Sequence, residues 1–164
     1  MKSSTYGLRD ATRADTPAIA RLIRALAVYE KLDHLITATE ADYHAALFTT
    51  PPRARAMVAA LETGHIAGFA LYFYNFSTFL GRPGLYLEDI FVEPAHRKRG
   101  IGRAFFRALA ARAVAENCGR MEWSVLDWNA PAIDFYRAMG AVQMDEWTVN
   151  RLTGDALQAL AQEA

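Results

Sequence analysis

Four basic side chains and two glycines lie close together in the stretch VEPAHRKRGIGRAFF, residues 92–106. An apolar run precedes the glycines and an apolar pattern with helical spacing follows them, which predicts a strand, a short loop and a helix. Backbone N–H groups at a helix start have no partner inside the helix, and the helix dipole favours negative charge there. The stretch therefore predicts a phosphate-binding anion site, whose members are Arg97, Lys98, Arg99, Gly100, Gly102 and Arg103.

The spacing of these residues excludes two common kinds of phosphate-binding loop. The stretch contains neither the G-x-x-x-x-G-K-[ST] phosphate loop nor the dinucleotide pattern G-x-G-x-x-G. It contains R-x-x-G-x-G, from Arg97 to Gly102. A basic turn between a strand and a helix is also typical of a solvated helix cap, so the pattern alone leaves both interpretations open.

Two adjacent carboxylates, Glu88 and Asp89, lie in the apolar run just before the anion site. A carboxyl group near an apolar wall has a raised pKa and can accept a proton from an amine. Successive side chains of a regular strand face opposite ways, so we expect only one of the two to enter a cleft. The spacing alone favours the alternative, in which both form ion pairs at the surface.

The elements around these residues predict an α+β fold with a mixed sheet, because a hairpin supplies antiparallel pairs and helical crossovers supply parallel ones. The first helix is expected to begin near Asp15–Thr16, and the second has Thr39 as its cap. The predicted order is a short strand, these two helices, a hairpin of two strands, the strand LYLEDIFV, a long helix from Gly100, the strand MEWSVLDW, the helix NAPAIDFYRAMG, a last strand AVQMDEWTVNRL and a terminal helix.

Composition bounds the class of protein. A chain of 164 residues that is 52% hydrophobic is long enough for one core, so we expect a single domain over residues 1–164. Acidic and basic residues balance at 18 each, which argues against a nucleic-acid partner. Apolar runs stay short of the roughly 20 residues of a membrane span, and the start shows no export signal. With Cys118 as the sole cysteine, these features predict a soluble, cytoplasmic protein without a membrane partner.

The four histidines do not predict a metal site. They are scattered along the chain without the spacing of metal ligands. Their positions are His34, His44, His65 and His96.

The R-x-x-G-x-G motif between an apolar strand and a long amphipathic helix resembles the pyrophosphate-binding segment of the GNAT (Gcn5-related) N-acetyltransferases. The stretches YLEDIFVEPAHRKRGIG and LDWNAPAIDFYRAMGA are similar to the diamine (spermidine/spermine) and thialysine acetyltransferase branch of that family. The similarity extends to RLIRALAVYEK and GFALYFYNFSTFLG, so it covers nearly the whole chain. It implies the GNAT acyl-CoA N-acyltransferase fold, in which helices flank a mixed, mostly antiparallel sheet that is splayed at its centre.

The resemblance implies that acetyl-CoA is the cosubstrate and indicates where it binds. The pantetheine arm would pair with the backbone at the end of the strand, and the pyrophosphate would lie over the anion site. Asn129 matches a residue that contacts CoA. The implied cosubstrate-binding residues are Ile90, Phe91, Val92, Arg97, Lys98, Arg99, Gly100, Ile101, Gly102, Arg103 and Asn129.

The resemblance also assigns catalytic and substrate-binding residues. Glu88 matches the base that takes the proton of the amine, directly or through a water. Tyr136, in DFYRAMG, matches the general acid that protonates the departing thiolate of CoA. Tyr29 and Glu30 match substrate contacts, and together with Glu88 and Asp89 they would attract a cationic amine.

One stretch departs from the diamine branch, since Ser77, Thr78 and Phe79 stand where those enzymes carry Asp-Pro-Trp. The missing carboxylate argues against a long polyamine and leaves a shorter diamine, a thialysine-like amino acid or another primary amine open. The resemblance implies direct transfer in a ternary complex and a homodimer. Two alternatives remain: acetylation of a protein lysine or N-terminus, and a CoA-binding sensor without turnover.

Overall fold

The computed structural model describes residues 5–163 and contains two compact units, of which the first ends at Ser124 and the second begins at Val125. The first unit holds the sheet and three of the helices, and the second holds two further helices. The single domain expected over residues 1–164 stays a prediction. Among the described residues, every helix is too short or too polar to cross a membrane.

One five-stranded sheet, in the order β1-β2-β3-β4-β5, is the framework of the first unit. Neighbouring strands from β1 to β4 are antiparallel, whereas β4 and β5 are parallel. This confirms the predicted α+β class and the mixed, mostly antiparallel sheet. The strands are β1 (Tyr6–Asp10), β2 (Arg55–Leu61), β3 (Ile66–Ser77), β4 (Arg82–Val92) and β5 (Arg120–Trp123).

The helices begin where their caps predict. In the second helix, Thr39 Oγ1 accepts a hydrogen bond from the backbone N–H of Asp42, and the Asp42 carboxylate accepts one from the N–H of Thr39 at 2.7 Å. Short 3-10 helices cover Arg13–Asp15, Asp33–Leu35 and Pro94–His96. The α-helices are α1 (Thr16–Glu30), α2 (Glu40–Phe48), α3 (Ile101–Ala115), α4 (Ala130–Arg137) and α5 (Gly154–Ala161).

The two faces of the sheet carry different helices. Ile19 and Leu22 of α1 pack with Phe69 and Phe91 in a buried cluster on one face. On the other face, Arg112 of α3 donates a hydrogen bond to the hydroxyl of Tyr72. The apolar stripe predicted for α3 is confirmed, since its members Ile101, Phe105, Leu109 and Ala113 are buried.

The sheet opens beside the last residues of β4. The parallel pairing of β4 with β5 ends at the pair Leu87 and Trp123. Beyond it, β4 continues to Val92 and pairs only with β3. In the described part of the chain, residues 88–92 therefore have a strand on one edge alone, which is the splay that the resemblance implied.

Two expected strands differ from the structure. MEWSVLDW forms a strand only as far as Trp123, and the last strand predicted over residues 141–152 is wrong. That stretch has the apolar pattern of a strand, but among the described residues no neighbouring strand pairs with its backbone. Its apolar side chains are accordingly exposed, at 83% for Val142, 72% for Trp147 and 81% for Val149.

Candidate active site

A β-bulge interrupts β4 at its two carboxylates. Leu87 pairs with Tyr72 of β3 and Asp89 pairs with Leu71, so Glu88 is an extra residue without a partner on β3. Our expectation of a regular strand at this point is wrong, and strict alternation does not decide which carboxylate enters the cleft.

The bulge carries Asp89 to the face covered by α1. Directly paired residues of antiparallel strands share a face of the sheet, so Leu87 shares the face of Tyr72, and Phe91 shares that of its partner Phe69. Tyr72 and Phe69 are three residues apart on β3 and face opposite ways. Asp89, two residues before Phe91, therefore lies on the α1 face and not with Leu87.

Three carboxylates form what we call the acidic cluster: Glu30 at the end of α1, and Glu88 and Asp89 of β4. Burial, followed by the negative charges of Glu88 and Glu30, raises the pKa of Asp89 to about 6. Burial also raises the pKa of Glu30. The structure thus brings together three of the predicted substrate-binding residues, and one of them can change protonation near neutral pH.

Tyr43 of α2 is a neighbour of the acidic cluster that the sequence did not reveal. Burial raises the pKa of its hydroxyl, the charge of Asp89 raises it further, and the guanidinium of Arg24 opposes both effects. A cleft of about 470 Å³ lies between α1 and residues 36–43, and Arg21, Arg24 and Tyr43 are among its lining residues. No motif marks Tyr43, because only the packing of α2 brings it near β4.

The side chain of Arg97 contacts both a residue that is predicted to bind the substrate and the strand that is predicted to bind the cosubstrate. Its guanidinium carbon lies 5.0 Å from the ring centroid of Tyr29 and 5.3 Å from that of Phe91. Its Nε donates a hydrogen bond of 2.9 Å to the carbonyl of Val92. The side chain therefore fixes the end of β4 against the end of α1, a role beyond the phosphate contact that the sequence predicted.

The segment predicted to bind an anion forms a turn that leads into α3, and its role toward phosphate stays a prediction. The backbone is left-handed at Lys98, with φ of 60°, and at Gly100, with φ of 82°. The positive φ at Gly100 favours glycine, which has no Cβ. Gly100 is the N-cap of α3, and as a glycine it has no side chain that could cap the helix. Three cationic side chains near the first backbone N–H groups of α3 are exposed: Lys98, Arg99 and Arg103.

The strand segment predicted to hold the pantetheine arm lies at the opening of the sheet. Phe91 is buried, and Ile90 and Val92 are half-buried. Their backbones pair with Ala70, Phe69 and Gly68 of β3 on one edge only. Gly68 has no room for a side chain, because a Cβ there would lie 2.8 Å from the carbonyl oxygen of Phe91.

The two remaining predicted residues belong to the second unit. Asn129 is buried and is the N-cap of α4, where its Oδ1 accepts a hydrogen bond of 3.4 Å from the N–H of Ala132. Tyr136 is half-buried on α4, with its ring centroid 5.6 Å from that of Phe135. The roles of Asn129 and Tyr136 toward CoA stay predictions.

The stretch that departs from the diamine branch forms the turn between β3 and β4. Ser77 is buried, and its Oγ accepts a hydrogen bond of 3.3 Å from the N–H of Leu80. Its carbonyl accepts one of 2.8 Å from the N–H of Gly81, while Phe79 is almost fully exposed. Ser77 therefore stabilises the turn.

Comparisons with known proteins show which family and which solved structures this chain is similar to. The model of the acetyltransferase (GNAT) family matches residues 19–141. An L-ornithine N5-acetyltransferase of Arabidopsis thaliana is 36% identical over 93% of this chain and 86% of its own length. A thialysine N-epsilon-acetyltransferase of Bos taurus is 36% identical over 94% of this chain and 96% of its own. Among solved structures, an integron cassette protein from the mobile metagenome of V. cholerae superposes with a TM-score of 0.80 at 25% identity, over 96% of this chain and 98% of that one.

Proposed function

The chain belongs to the GNAT acetyltransferase family and is an N-acetyltransferase, and on that premise we propose that it moves the acetyl group of acetyl-CoA to a primary amine of a small cationic substrate. The observation that carries this proposal is the acidic cluster beside the free edge of β4, the strand that leads to the predicted anion site. We propose direct transfer in a ternary complex.

The cosubstrate would lie along β4 and over the start of α3. The free edge of residues 88–92 offers backbone groups to the amides of the pantetheine arm, and the uncapped N–H groups after Gly100 suit the pyrophosphate. The exposed cations Lys98, Arg99 and Arg103 add counter-charge. Asn129 completes the proposed set of CoA contacts, on the resemblance alone.

The amine must lose a proton before it attacks, because an alkyl ammonium has a pKa of about 10.4. Glu88 is the acceptor that the resemblance proposes. A specific observation favours Asp89 as a second candidate, since its pKa of about 6 makes it the better matched base near neutral pH. The neutral nitrogen then attacks the thioester carbon, the C–S bond breaks, and the hydroxyl of Tyr136 gives its proton to the departing thiolate. The nitrogen, which is positively charged after the attack, loses its second proton through water to the Tyr136 phenolate, and this restores the hydroxyl.

The acceptor is proposed to be an amino acid with a side-chain amine. The acidic cluster and Tyr29 would bind the ammonium group. Arg24 lines the neighbouring cleft and has no carboxylate partner within residues 5–163, so it suits the α-carboxylate of such a substrate. Relatives named for thialysine and ornithine act on amino acids of this kind. A polyamine has no carboxylate for Arg24.

Thiol release from acetyl-CoA tests the proposal. The purified protein is assayed with ornithine, thialysine, lysine, putrescine, spermidine and a lysine-bearing peptide, beside the variants Glu88→Gln and Asp89→Asn. We expect turnover of ornithine or thialysine that falls steeply in one of the two variants. Turnover of the peptide alone would support the protein acetyltransferase, and bound CoA without any turnover would support the sensor.

A homodimer in the cytoplasm is part of the proposal. The stretch 141–152 has the pattern of a strand and exposes Val142, Met144, Trp147 and Val149, which suits pairing with a second copy of the chain. Sedimentation of the wild type and of Trp147→Ser at equal concentration tests this. A wild type that sediments as a monomer at micromolar concentration would contradict it.

A further inference from the structure

Two histidines and a glutamate from separate segments meet at one end of the sheet. His65 lies in the turn between β2 and β3, Glu93 directly follows β4, and His96 ends the 3-10 helix Pro94–His96. We call them the His–Glu–His cluster. One nitrogen of each imidazole and a carboxylate oxygen lie within 4.8 Å of one another. The antiparallel pairing of Gly68 with Val92 brings these distant positions together.

The carboxylate of Glu93 is oriented by a separate contact. Arg21 donates a hydrogen bond to its Oε1 and a second one, of 3.0 Å, to the carbonyl of Ile66. Oε2 therefore faces the imidazoles, at 2.6 Å from Nε2 of His65 and 3.8 Å from Nε2 of His96. Burial alone would raise the pKa of Glu93, but the hydrogen bonds from His65 and Arg21 outweigh it and keep the group ionised.

Within residues 5–163, one ring nitrogen of His96 lacks a hydrogen bond. Its Nδ1 is buried without a partner there, and its Nε2 lies 3.8 Å from Oε2 of Glu93, beyond hydrogen-bond distance. Its side chain is only 19% exposed. A buried ring nitrogen without a hydrogen bond is costly. A ligand that binds this ring would offset that cost.

We propose that His65, Glu93 and His96 bind a divalent transition-metal ion of the Zn²⁺ class. Zinc takes imidazole nitrogen and carboxylate oxygen at about 2.0–2.2 Å, which places tetrahedral ligands roughly 3.4 Å apart. The ligand atoms of the three side chains are now between 2.6 Å and at most 4.8 Å apart, on both sides of that value. Small side-chain rotations therefore suffice to bring them to the spacing of zinc ligands. The ion would replace the proton between His65 and Glu93, with water at the open position.

Arg21 is compatible with the ion. Its guanidinium binds the other carboxylate oxygen and is 46% exposed, so water screens its charge. By holding Oε1 it orients Oε2, as outer contacts do around metal ligands. The bound ion would link the β2–β3 turn to the segment immediately before Arg97. It would therefore be a clamp on the start of the anion site, separate from the chemistry of acetyl transfer.

Metal titration of the full chain without a purification tag tests the proposal. After treatment with a chelator and its removal, Zn²⁺ binding is measured by calorimetry and Co²⁺ binding by visible absorption. We expect one equivalent to bind and to raise the thermal unfolding temperature. His65→Ala and His96→Ala should each weaken binding by about tenfold or more. His65 is in an exposed turn, so its variant keeps the fold.

His34→Ala is the matched control, because His34 is exposed on another segment and belongs to no such cluster within residues 5–163. It should bind Zn²⁺ as the wild type does. Two results would overturn the proposal. One is the absence of saturable binding by the wild type, which would make the cluster an ion-pair network only. The other is binding that the double variant of His65 and His96 retains.

Discussion

The guanidinium of Arg97 lies over the ring of Tyr29, with 5.0 Å between the guanidinium carbon and the ring centroid. This contact connects the end of α1 with the segment between β4 and α3. One partner is a proposed cosubstrate contact and the other a proposed substrate contact. The two proposed binding sites therefore share a physical link.

Tyr29→Ala should weaken the binding of both substrates. A partly exposed contact of a cation with an aromatic ring contributes about 0.5–1 kcal/mol, which corresponds to a two- to fivefold rise in KM. Steady-state kinetics with each substrate varied in turn measures this rise in KM. Tyr29→Phe keeps the ring and should keep the KM for acetyl-CoA. An unchanged KM for acetyl-CoA in Tyr29→Ala would show that the link has no effect on binding.

The pH dependence of kcat/KM distinguishes the two proposed bases. The pKa of Asp89 is about 6 in the folded protein, so its charged form prevails above that pH. If Asp89 accepts the proton, kcat/KM rises through about pH 6, and Asp89→Asn removes that rise. Glu88→Gln is the matched control and should keep the rise. A rise that survives in Asp89→Asn and vanishes in Glu88→Gln would assign the role to Glu88.

The same group makes stability depend on pH. The folded pKa of Asp89 is higher than the ordinary value of 3.8, so the folded state favours the protonated form. Its contribution to stability is present at low pH and is lost as the pH rises from about 4 to about 6. Asp89→Asn should remove this dependence and raise the free energy of unfolding at pH 7 by about 3 kcal/mol. Urea denaturation at pH 4 and pH 7 measures it.

Arg24→Met should discriminate between classes of acceptor. Loss of the guanidinium should raise the KM for ornithine by about tenfold, because a charged contact of this strength contributes about 1.4 kcal/mol. The KM for putrescine, which lacks a carboxylate, should stay the same. Arg53→Met is the control, since Arg53 is exposed outside the cleft. Equal effects on both acceptors would refute a carboxylate contact at Arg24.

Tyr136→Phe should lower kcat much more than it changes the KM for acetyl-CoA, because the hydroxyl is proposed to act on the leaving thiolate only in the transition state. Presteady-state measurement of the chemical step separates this effect from product release. Full activity of Tyr136→Phe would show that another group, or water, protonates the thiolate.

The sequence predicts the parts of this fold that local patterns determine. The Thr39 cap, the stripe of α3 and the glycine at the start of that helix all depend on neighbours within a few residues. The β-bulge is different, because LYLEDIFV contains no proline or glycine that would mark an extra residue at Glu88. The pairing with β3 determines it.

The His–Glu–His cluster could not be predicted for a similar reason. His65 and His96 are 31 positions apart, and only the register of β3 against β4 makes them neighbours. The prediction of a strand over residues 141–152 is wrong for the opposite reason: a local pattern is present, and among residues 5–163 the neighbouring strand is not. Its apolar pattern indicates a strand, but a strand also needs a neighbour for its backbone groups, which one copy of the chain does not supply among the described residues.

The bulge at Glu88 shifts the alternation of β4 side chains between the two faces of the sheet by one residue. Before it, the odd-numbered side chains Leu85 and Leu87 face α3, and after it Asp89 and Phe91, also odd-numbered, face α1. Deletion of Glu88 would remove the extra residue and place Asp89 directly after Leu87, so Asp89 would still pair with Leu71 and face α1. The inserted residue therefore adds a second carboxylate to the strand and leaves the residues on both sides of it in their register with β3.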